Sequence, residues 1–189
     1  MPRVGEVERR PLLVSVLLGV AMMGVPVLGG CGFHPLYAPT SSTVAGPAAA
    51  GLAETAVGLI PDRPGQLLRQ ALQERFERNG VSTVQRYDLS VSFGISAAAI
   101  SIQPDSSNSR MRMIGTATYQ LIAQDPSRTT LTTGTARSVD GLDLYDQQLF
   151  AMQLEIEVVQ QRIAQAVADE ITQQLAVYFE KQAAVAAAH

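Results

Sequence analysis

The sequence has 189 residues, with 14 basic and 17 acidic side chains and a formal net charge of −3 at pH 7. A chain without a broad basic field is a poor candidate for a nucleic-acid-binding protein. Cys31 is the only cysteine, so no intramolecular disulfide can support the fold, which must depend on packing. Lys181 is the only lysine, and arginine therefore supplies nearly all positive charge, which favours bidentate contacts with carboxylate or phosphate.

Residues 1–30 have the layout of a cleaved secretory signal peptide. Arg9 and Arg10 precede an apolar run from Leu12 to Leu28, and small residues lead from that run to Cys31. This order resembles a bacterial lipobox, which implies cleavage before Cys31, S-diacylglycerol on its sulfur and an acyl chain on the new amine. Two or more acyl chains make a stable membrane anchor. The alternatives are a buried structural thiol and a transmembrane helix, for which the run lies at the lower limit of ~17–25 residues.

The chain after the signal divides into a tether and one domain. Residues 31–52 are predicted to be a lipid-anchored tether or linker, because Thr40 to Gly51 is rich in Pro, Ser, Gly and Ala and shows no apolar period. Residues 53–189 are long enough to bury a core as a single domain. Since residues 1–30 carry three arginines and two glutamates, the chain that begins at Cys31 has a net charge of about −4.

Six regular elements are predicted from hydrophobic periodicity. Strands alternate apolar and polar residues, whereas helices repeat apolar residues every three or four positions. Asp62 is a candidate N-cap and Gly80 a candidate left-handed residue after the first helix. In chain order, the elements are a strand at Glu54–Ile60, a helix at Gly65–Asn79, strands at Arg86–Ile95, Arg110–Ile122 and Thr129–Val139, and a helix at Gln147–Phe179.

The segments between these elements are predicted to be loops and turns. Ala97–Ser109 contains Pro104 and several serines and is predicted to be a loop. Asp125-Pro126-Ser127 predicts a tight turn, which would pair the flanking strands as a hairpin. Asp140–Asp146 is predicted to be a turn that leads into the last helix.

These elements predict an α+β fold, a two-layer sandwich in which two helices pack on one face of a four-stranded mixed sheet. The first strand, helix and second strand are expected to form a right-handed crossover. The last helix would run ~50 Å, which exceeds the width of a four-stranded sheet. One of its ends is therefore expected to project from the sheet or to pack on something else.

Residues for catalysis or metal binding are sparse. His34 lies in the predicted tether and His189 is the last residue, so neither is placed to activate a nucleophile in a buried triad. The sequence contains no Gly-rich phosphate loop, HExxH or CxxC motif. Asp140, Asp143 and Asp146 do not match a calcium loop, and Asp143 or Asp146 is instead a candidate cap of the last helix. We therefore predict no enzyme activity, no catalytic residue, no metal and no cofactor apart from the covalent lipid.

A small basic cluster is predicted on the helix-free face of the sheet. Arg110 and Arg112 are two apart on one strand and share a face. If the turn after the third strand is tight, Arg137 returns near Ile114 on that face. The three guanidinium groups could bind the phosphates of a phosphorylated lipid. Alternatively, they are solvated strand residues or pair with nearby acidic side chains such as Asp105, Asp140 and Asp143.

The same face is rich in threonine with a few apolar residues. Small polar groups without charge are typical of a surface that docks against another protein. The alternative is that threonine is present only because it favours strands. The predicted partner interface consists of Ile114, Thr116, Thr118, Thr133 and Thr135.

Several stretches of the chain resemble the LPS-assembly lipoproteins of the LptE family. The most specific is CGFHPLY, at Cys31–Tyr37. IPDRPGQLLRQALQERF at Ile60–Phe76, Arg110 at a strand start, ATYQL at Ala117–Leu121 and a long helix from Tyr145 to Phe179 follow in the family's order. The resemblance covers nearly the whole chain after the signal.

This resemblance implies a function. LptE proteins form the plug of a large outer-membrane β-barrel, the LptD-like lipopolysaccharide translocon, help that barrel to assemble and contact lipopolysaccharide. The family fold is two helices on a four-stranded sheet. Contact with lipopolysaccharide would fall to Arg110 and Arg112, and Gly32, where an Asp would favour inner-membrane retention, indicates the outer membrane. The alternative function is a periplasm-facing, lipid-binding carrier or chaperone that acts without a barrel.

Overall fold

The computed structural model describes residues 46–78, 80, 82–102, 108–143 and 149–188. Four strands form one sheet in the order β1-β2-β3-β4, with β1 parallel to β2 and the other pairs antiparallel. The predicted α+β fold with a four-stranded mixed sheet is confirmed. The elements are α1 (Pro47–Ala53), β1 (Thr55–Val57), α2 (Asp62–Phe76), β2 (Tyr87–Ile102), β3 (Asn108–Ala123), β4 (Thr130–Asp143) and α3 (Leu149–Ala187).

The hydrophobic core lies between the sheet and the helices. The predicted stripe of α2, at Leu68, Leu72 and Phe76, is buried as expected. Burying one aliphatic side chain of this size contributes about 1.5–3 kcal/mol. The largest fully buried side chains come from both layers: Ile60, Leu68, Leu72, Leu89, Leu121, Val159, Ile163, Val167, Ile171 and Leu175.

Helices α2 and α3 run side by side in the same direction, and two ion pairs mark their alignment. Arg63 lies 3.5 Å from Glu157. Twelve residues further along each helix, Arg75 Nε lies 2.6 Å from Asp169 Oδ1. The parallel alignment follows from topology. Strands β1 and β4 point in the same direction in the sheet, and each of the two helices runs antiparallel to the strand that precedes it.

Helix α1 overturns part of the predicted tether. Residues 47–52 were assigned to a linker, but they form a helix in which Ala48, Ala49 and Leu52 are buried. A small-residue composition is compatible with a linker and equally with close packing against another helix. Contact with α3 decides between the two here: a Cβ on Gly51 would lie 2.5 Å from the ring of Phe179. The boundary placed at residue 53 therefore falls inside this helix.

The ends of α2 also differ from the prediction. The helix begins at Asp62, its N-cap is Pro61, and no side chain caps it, so Asp62 is not the N-cap. Asp62 instead has a φ of 65°, in the left-handed region that Asp tolerates better than most residues. Gly80 does take a positive φ of 111°. It lies three residues beyond the C-cap Glu77, however, and not directly after the helix.

The three long strands extend further than periodicity predicted. Ala97–Ser109 was expected to be a loop, but β2 continues to Ile102 and β3 begins at Asn108. Likewise β4 continues to Asp143, into the predicted turn. Small Ala and Ser residues carry no clear alternation, and pairing with β3 holds them extended. The predicted tight turn is present, where Arg128 N–H donates to the Asp125 carbonyl at 3.0 Å.

The molecule has two differently built regions. The packed half consists of α1, β1, α2, the paired strands beside them and α3 from Val159 onwards. The distal arm consists of residues 93–102 of β2, 108–115 of β3, 138–143 of β4 and 149–158 of α3. At ~1.5 Å per residue, the 39 residues of α3 run ~58 Å and connect the two regions. None of the helices that the structure describes is both long enough and apolar enough to cross a bilayer.

Candidate interaction surfaces of the sheet

The helix-free face of β3 and β4 brings together the five residues of the predicted partner interface. Thr118 pairs with Thr135, and Gln120 pairs with Thr133. Thr116, Thr118, Thr133 and Thr135 are exposed, and Ile114 is half-buried. Strand β2 continues this face with small residues, because Ser92, Gly94 and Ser96 are the partners of Thr118, Thr116 and Ile114.

We call this surface the hydroxyl face. Its central part carries no charge except at Arg137, which is the partner of Thr116. Hydroxyl groups that stand in rows on a sheet can both donate and accept hydrogen bonds. Such a face can therefore form hydrogen bonds with the polar groups of another protein without desolvating a charge. Its role as an interface stays a prediction.

The three predicted arginines share the hydroxyl face but do not form one cluster. Arg110 and Arg112 lie together on β3, in the distal arm. Arg137 lies opposite Thr116 and not opposite Ile114, whose partner is Val139. Thr116 is four residues from Arg112, which corresponds to ~13 Å along a strand. The difference arises because a register shift next to Leu121 sets the alignment of β3 and β4.

The structure also shows the surroundings of some of the acidic residues suggested as partners of these arginines. Asp140 points to the helix side of the sheet, where its Oδ2 lies 2.8 Å from Arg162 Nε. Its Oδ1 accepts the N–H of Gly141 at 2.8 Å. Asp140 is therefore a partner of α3 and not of the arginines on the hydroxyl face. Asp143 lies in β4, where its strand partner is Arg110, so it is not the cap of α3. Asp105 and Asp146 lie outside the described residues.

A polar network, which the sequence analysis missed, covers the free edge of β4. Glu170 Oε2 accepts the backbone N–H of Arg137 at 3.1 Å. Gln174 Nε2 donates to the carbonyl of Thr135 at 3.1 Å. Side chains of α3 thus satisfy edge groups of β4 that would otherwise pair with another strand. The only sequence signal for this device is the i,i+4 spacing of Glu170 and Gln174.

Tyr119 connects this network to the core. Its hydroxyl donates to Gln174 Oε1 at 2.7 Å. Burial raises the pKa of Tyr119 above its ordinary value, and the negative charge of Glu170 raises that pKa further. Gly134 is required beside it, because a Cβ there would lie 2.5 Å from the Tyr119 hydroxyl. The absence of a side chain at Gly134 thus makes room for the Tyr119 ring.

The described residues contain no arrangement suited to catalysis or metal binding. No three His, Cys, Asp or Glu side chains among them lie close enough to hold a metal ion. A cleft of about 290 Å³ is lined by Arg75, Phe76, Asp169 and Thr172, with α1 on its other side, and another of about 370 Å³ lies nearer the starts of α2 and α3. Arg75 is already occupied by Asp169 and by the carbonyl of Ala71. Cys31 and the CGFHPLY motif lie outside the described residues.

Solved structures of other proteins share this fold. A crystal structure of a protein from Caulobacter crescentus CB15 has a TM-score of 0.58 at 17% identity, covering 70% of this chain and 96% of that chain. The rare lipoprotein B from Shewanella oneidensis has a TM-score of 0.53 at 12% identity, covering 68% of this chain and 97% of that chain. At such identities the similarity concerns the fold alone. None of the curated proteins matches the sequence.

The family model described as "LptE: Lipopolysaccharide-assembly" matches residues 52–175. This match covers β1 to β4, α2 and most of α3, and so includes both the packed half and the distal arm. It confirms the resemblance stated from the order of the later stretches, and CGFHPLY lies before the matched residues. The chain belongs to the LptE family and is a non-enzymatic lipoprotein of lipopolysaccharide assembly, with a membrane-anchored location in the cell envelope.

Proposed function

We propose that this protein is an outer-membrane lipoprotein that plugs a large β-barrel, the LptD-like lipopolysaccharide translocon, and helps that barrel to assemble. In this role it supports delivery of lipopolysaccharide to the cell surface. The observation that carries the proposal is the hydroxyl face. A broad, exposed sheet surface with little charge agrees with the depletion of charged residues in the core of protein interfaces.

The point where the tether joins the domain agrees with this role. We propose that Cys31 carries S-diacylglycerol and an N-acyl chain. The described chain starts at Gly46 and enters α1, where the Ala48 N–H donates to Glu180 Oε1 at 3.4 Å. From Glu180 back to Phe150, α3 runs ~45 Å at ~1.5 Å per residue. The distal arm therefore lies at the opposite end of the domain from the point where the tether joins it.

Contact with lipopolysaccharide is assigned to the distal arm. Arg110 and Arg112 are exposed and share one face, a spacing that suits two phosphate groups or one bidentate contact. Arg137 lies too far along the sheet to join them at a single phosphate and would make a separate contact. Because the guanidinium groups are planar and permanently charged, lysine would not replace them fully.

A lipid-binding carrier or chaperone that acts without a barrel is the second candidate function. It is favoured by the apolar side chains that the distal arm exposes on α3. Phe150 is 91% exposed, Leu154 66% and Val158 52%. Their i,i+4 spacing places them on one stripe of the helix, which could contact acyl chains.

The test is an affinity pull-down of the lipidated protein from detergent-solubilised outer membranes, with mass spectrometry of the co-purifying proteins. We expect a large β-barrel in stoichiometric amount. Thr118→Glu places a charge in the hydroxyl face and should reduce recovery of the barrel at least tenfold, equivalent to about 1.4 kcal/mol. Gln66→Glu adds the same charge to an exposed position of α2 and should have no effect.

Two results would contradict the plug function. One is recovery of the wild-type protein alone or with soluble partners, which would favour the carrier. The other is equal loss of the barrel with Thr118→Glu and Gln66→Glu, which would show that charge affects binding from any surface. Circular dichroism of both variants establishes that they are folded.

A further inference from the structure

Among the residues that the structure describes, no strand pairs with the outer edge of β2 along most of its length. Strand β1 pairs only with Tyr87 to Leu89, and the last contact is the Gly58 N–H, which donates to the Leu89 carbonyl at 2.9 Å. Strand β2 then continues to Ile102. Its neighbour on the other side, β3, stays paired throughout.

The direction of the backbone groups follows from the same contact. Because the carbonyl of Leu89 faces β1, every second residue after it presents its N–H and C=O to the same outer edge. These residues are Val91, Phe93, Ile95 and Ala97. Within the described part of the chain, no backbone or side-chain group is hydrogen-bonded to them at this edge. The edge therefore presents a row of donors and acceptors at the spacing of a strand.

The two edges of the sheet are built differently. On β4, side chains of α3 occupy edge groups at Thr135 and Arg137. On β2, the side chains from Leu89 to Ile102 include neither a charge nor a proline, the residues that commonly block an edge. A bulge beyond Ala99 limits the regular edge to Val91–Ala99.

The side chains along this edge define what could pair with it. On the hydroxyl face, Ser92 and Ser96 are exposed and Gly94 has open space around the position of a Cβ. On the helix side, Phe93 and Ile95 are only half-buried. An added strand would cover these two apolar side chains on one face and extend the row of small residues on the other.

We propose that the edge of β2 from Val91 to Ala99 binds an extended segment of another protein by adding a strand to the sheet. That segment alternates apolar residues, which face the helix side, with small uncharged residues, which extend the hydroxyl face. A charged segment is disfavoured because the edge offers no countercharge. A second copy is disfavoured because each copy carries a net charge of about −4. The proposal concerns the edge and stands independently of whether the partner is a barrel.

The test is site-specific photocrosslinking of the full-length lipidated protein in its own membranes. A photoreactive amino acid is placed in turn at Ser92, Gly94 and Ser96, which lie on one face. Moving the probe by two residues shifts it ~6.6 Å along a strand. We expect the crosslinked positions in the partner to shift by two residues each time, within one continuous segment.

A matched pair of proline variants tests the role of the edge itself. Ala97→Pro removes an outward N–H and leaves the bonds to β3 intact, and we expect it to reduce crosslinking about tenfold. Val139→Pro makes the same change at an outward position of β4 and should leave crosslinking unchanged. If Ala97→Pro fails to fold, Ser96→Lys places a blocking charge on the same edge.

Three outcomes would overturn the proposal. Crosslinks between Ser92 and Ser96 of two copies would show a homodimer. Crosslinks scattered over a partner surface would show contact without strand pairing. Equal yields in the wild type, Ala97→Pro and Ser96→Lys would show that the edge is not used. A further result would be that Thr118→Glu reduces recovery of the barrel while the crosslinked positions in the partner still shift by two residues. That result would show that the hydroxyl face and the edge bind independently.

Discussion

The packed half and the distal arm are built from the same strands and the same helix, yet they bury very different fractions of their apolar side chains. In β2, Leu89 is 1% exposed and Val91 7% exposed, whereas Ile100 is 53% exposed. In α3, Ile163 and Leu175 are fully buried. In the arm, the same helix exposes Phe150, Leu154 and Val158. The difference follows from the second layer, because α1 packs near Phe179 and Glu180 in the packed half, and α2 meets the arm near its own start, at the Arg63–Glu157 ion pair.

This comparison indicates a division of labour. The packed half contributes most of the stability, since burial of apolar area is the dominant favourable term in folding. The distal arm keeps exposed what a stability-optimised domain would bury: an open edge, a pair of arginines and an apolar helix stripe. Surfaces of this kind are expected where a protein meets partners.

The largest expected effect tests the packed half against the arm directly. Leu175→Ala removes a fully buried side chain and should cost about 2–5 kcal/mol of unfolding free energy. Leu154→Ala, on the same helix but 66% exposed, should cost less than about 0.5 kcal/mol. Urea unfolding measures both. Similar losses would show that the arm contributes to the stability of the folded domain as much as the packed half does.

A second prediction probes the border between the two regions through glycines of the sheet. A Cβ at Gly115 would collide with the Ile163 side chain, whereas nothing lies within 4 Å of a Cβ at Gly94. Gly115→Ala should therefore destabilise the protein by about 1–3 kcal/mol through overpacking. Gly94→Ala should be neutral or slightly stabilising. Thermal unfolding measures the stability of both variants. An unchanged stability of Gly115→Ala would mean that α3 can move away from the sheet.

A third prediction concerns the two edges. Glu170→Ala removes the acceptor of the Arg137 N–H and should cost about 1 kcal/mol. It should also accelerate hydrogen exchange of that amide, measured by NMR. Gln165→Ala, which is exposed on the same helix, is the control. Amides of Phe93 and Ile95, which face the open edge, should exchange rapidly in the isolated wild type. Strong protection there would contradict an open edge.

The smallest expected effect is on alkaline stability. Burial raises the pKa of Tyr119 and of Tyr178 in the folded protein. The unfolded state therefore ionises first, near the ordinary pKa of ~10. Stability is fully present below that pH and falls as pH rises towards the folded pKa values. Tyr119→Phe should reduce the loss of unfolding free energy between pH 9 and 11. If the variant loses as much as the wild type, the loss comes from Tyr178 and not from Tyr119.

Much of the fold was predictable because its signals are local. Leu68, Leu72 and Phe76 recur at the spacing of a helix. The residues around Leu89 and Val91 alternate between apolar and polar, which is the spacing of a strand. Either pattern buries one face of its element, so the two-layer α+β arrangement follows. Membership of the LptE family was likewise indicated by short stretches and their order. These statements need no knowledge of which residues meet across the sheet.

Other features depend on contacts between distant residues, which only the tertiary structure decided. Gly51 and its small neighbours become a helix because Phe179 packs on them. The arginines separate because the strand register places Arg137 opposite Thr116. The sequence alone thus determined which elements form and which faces are apolar, since propensity and periodicity act within one element. The structure decided how far each layer covers the next, because coverage depends on lengths and registers set by long-range packing.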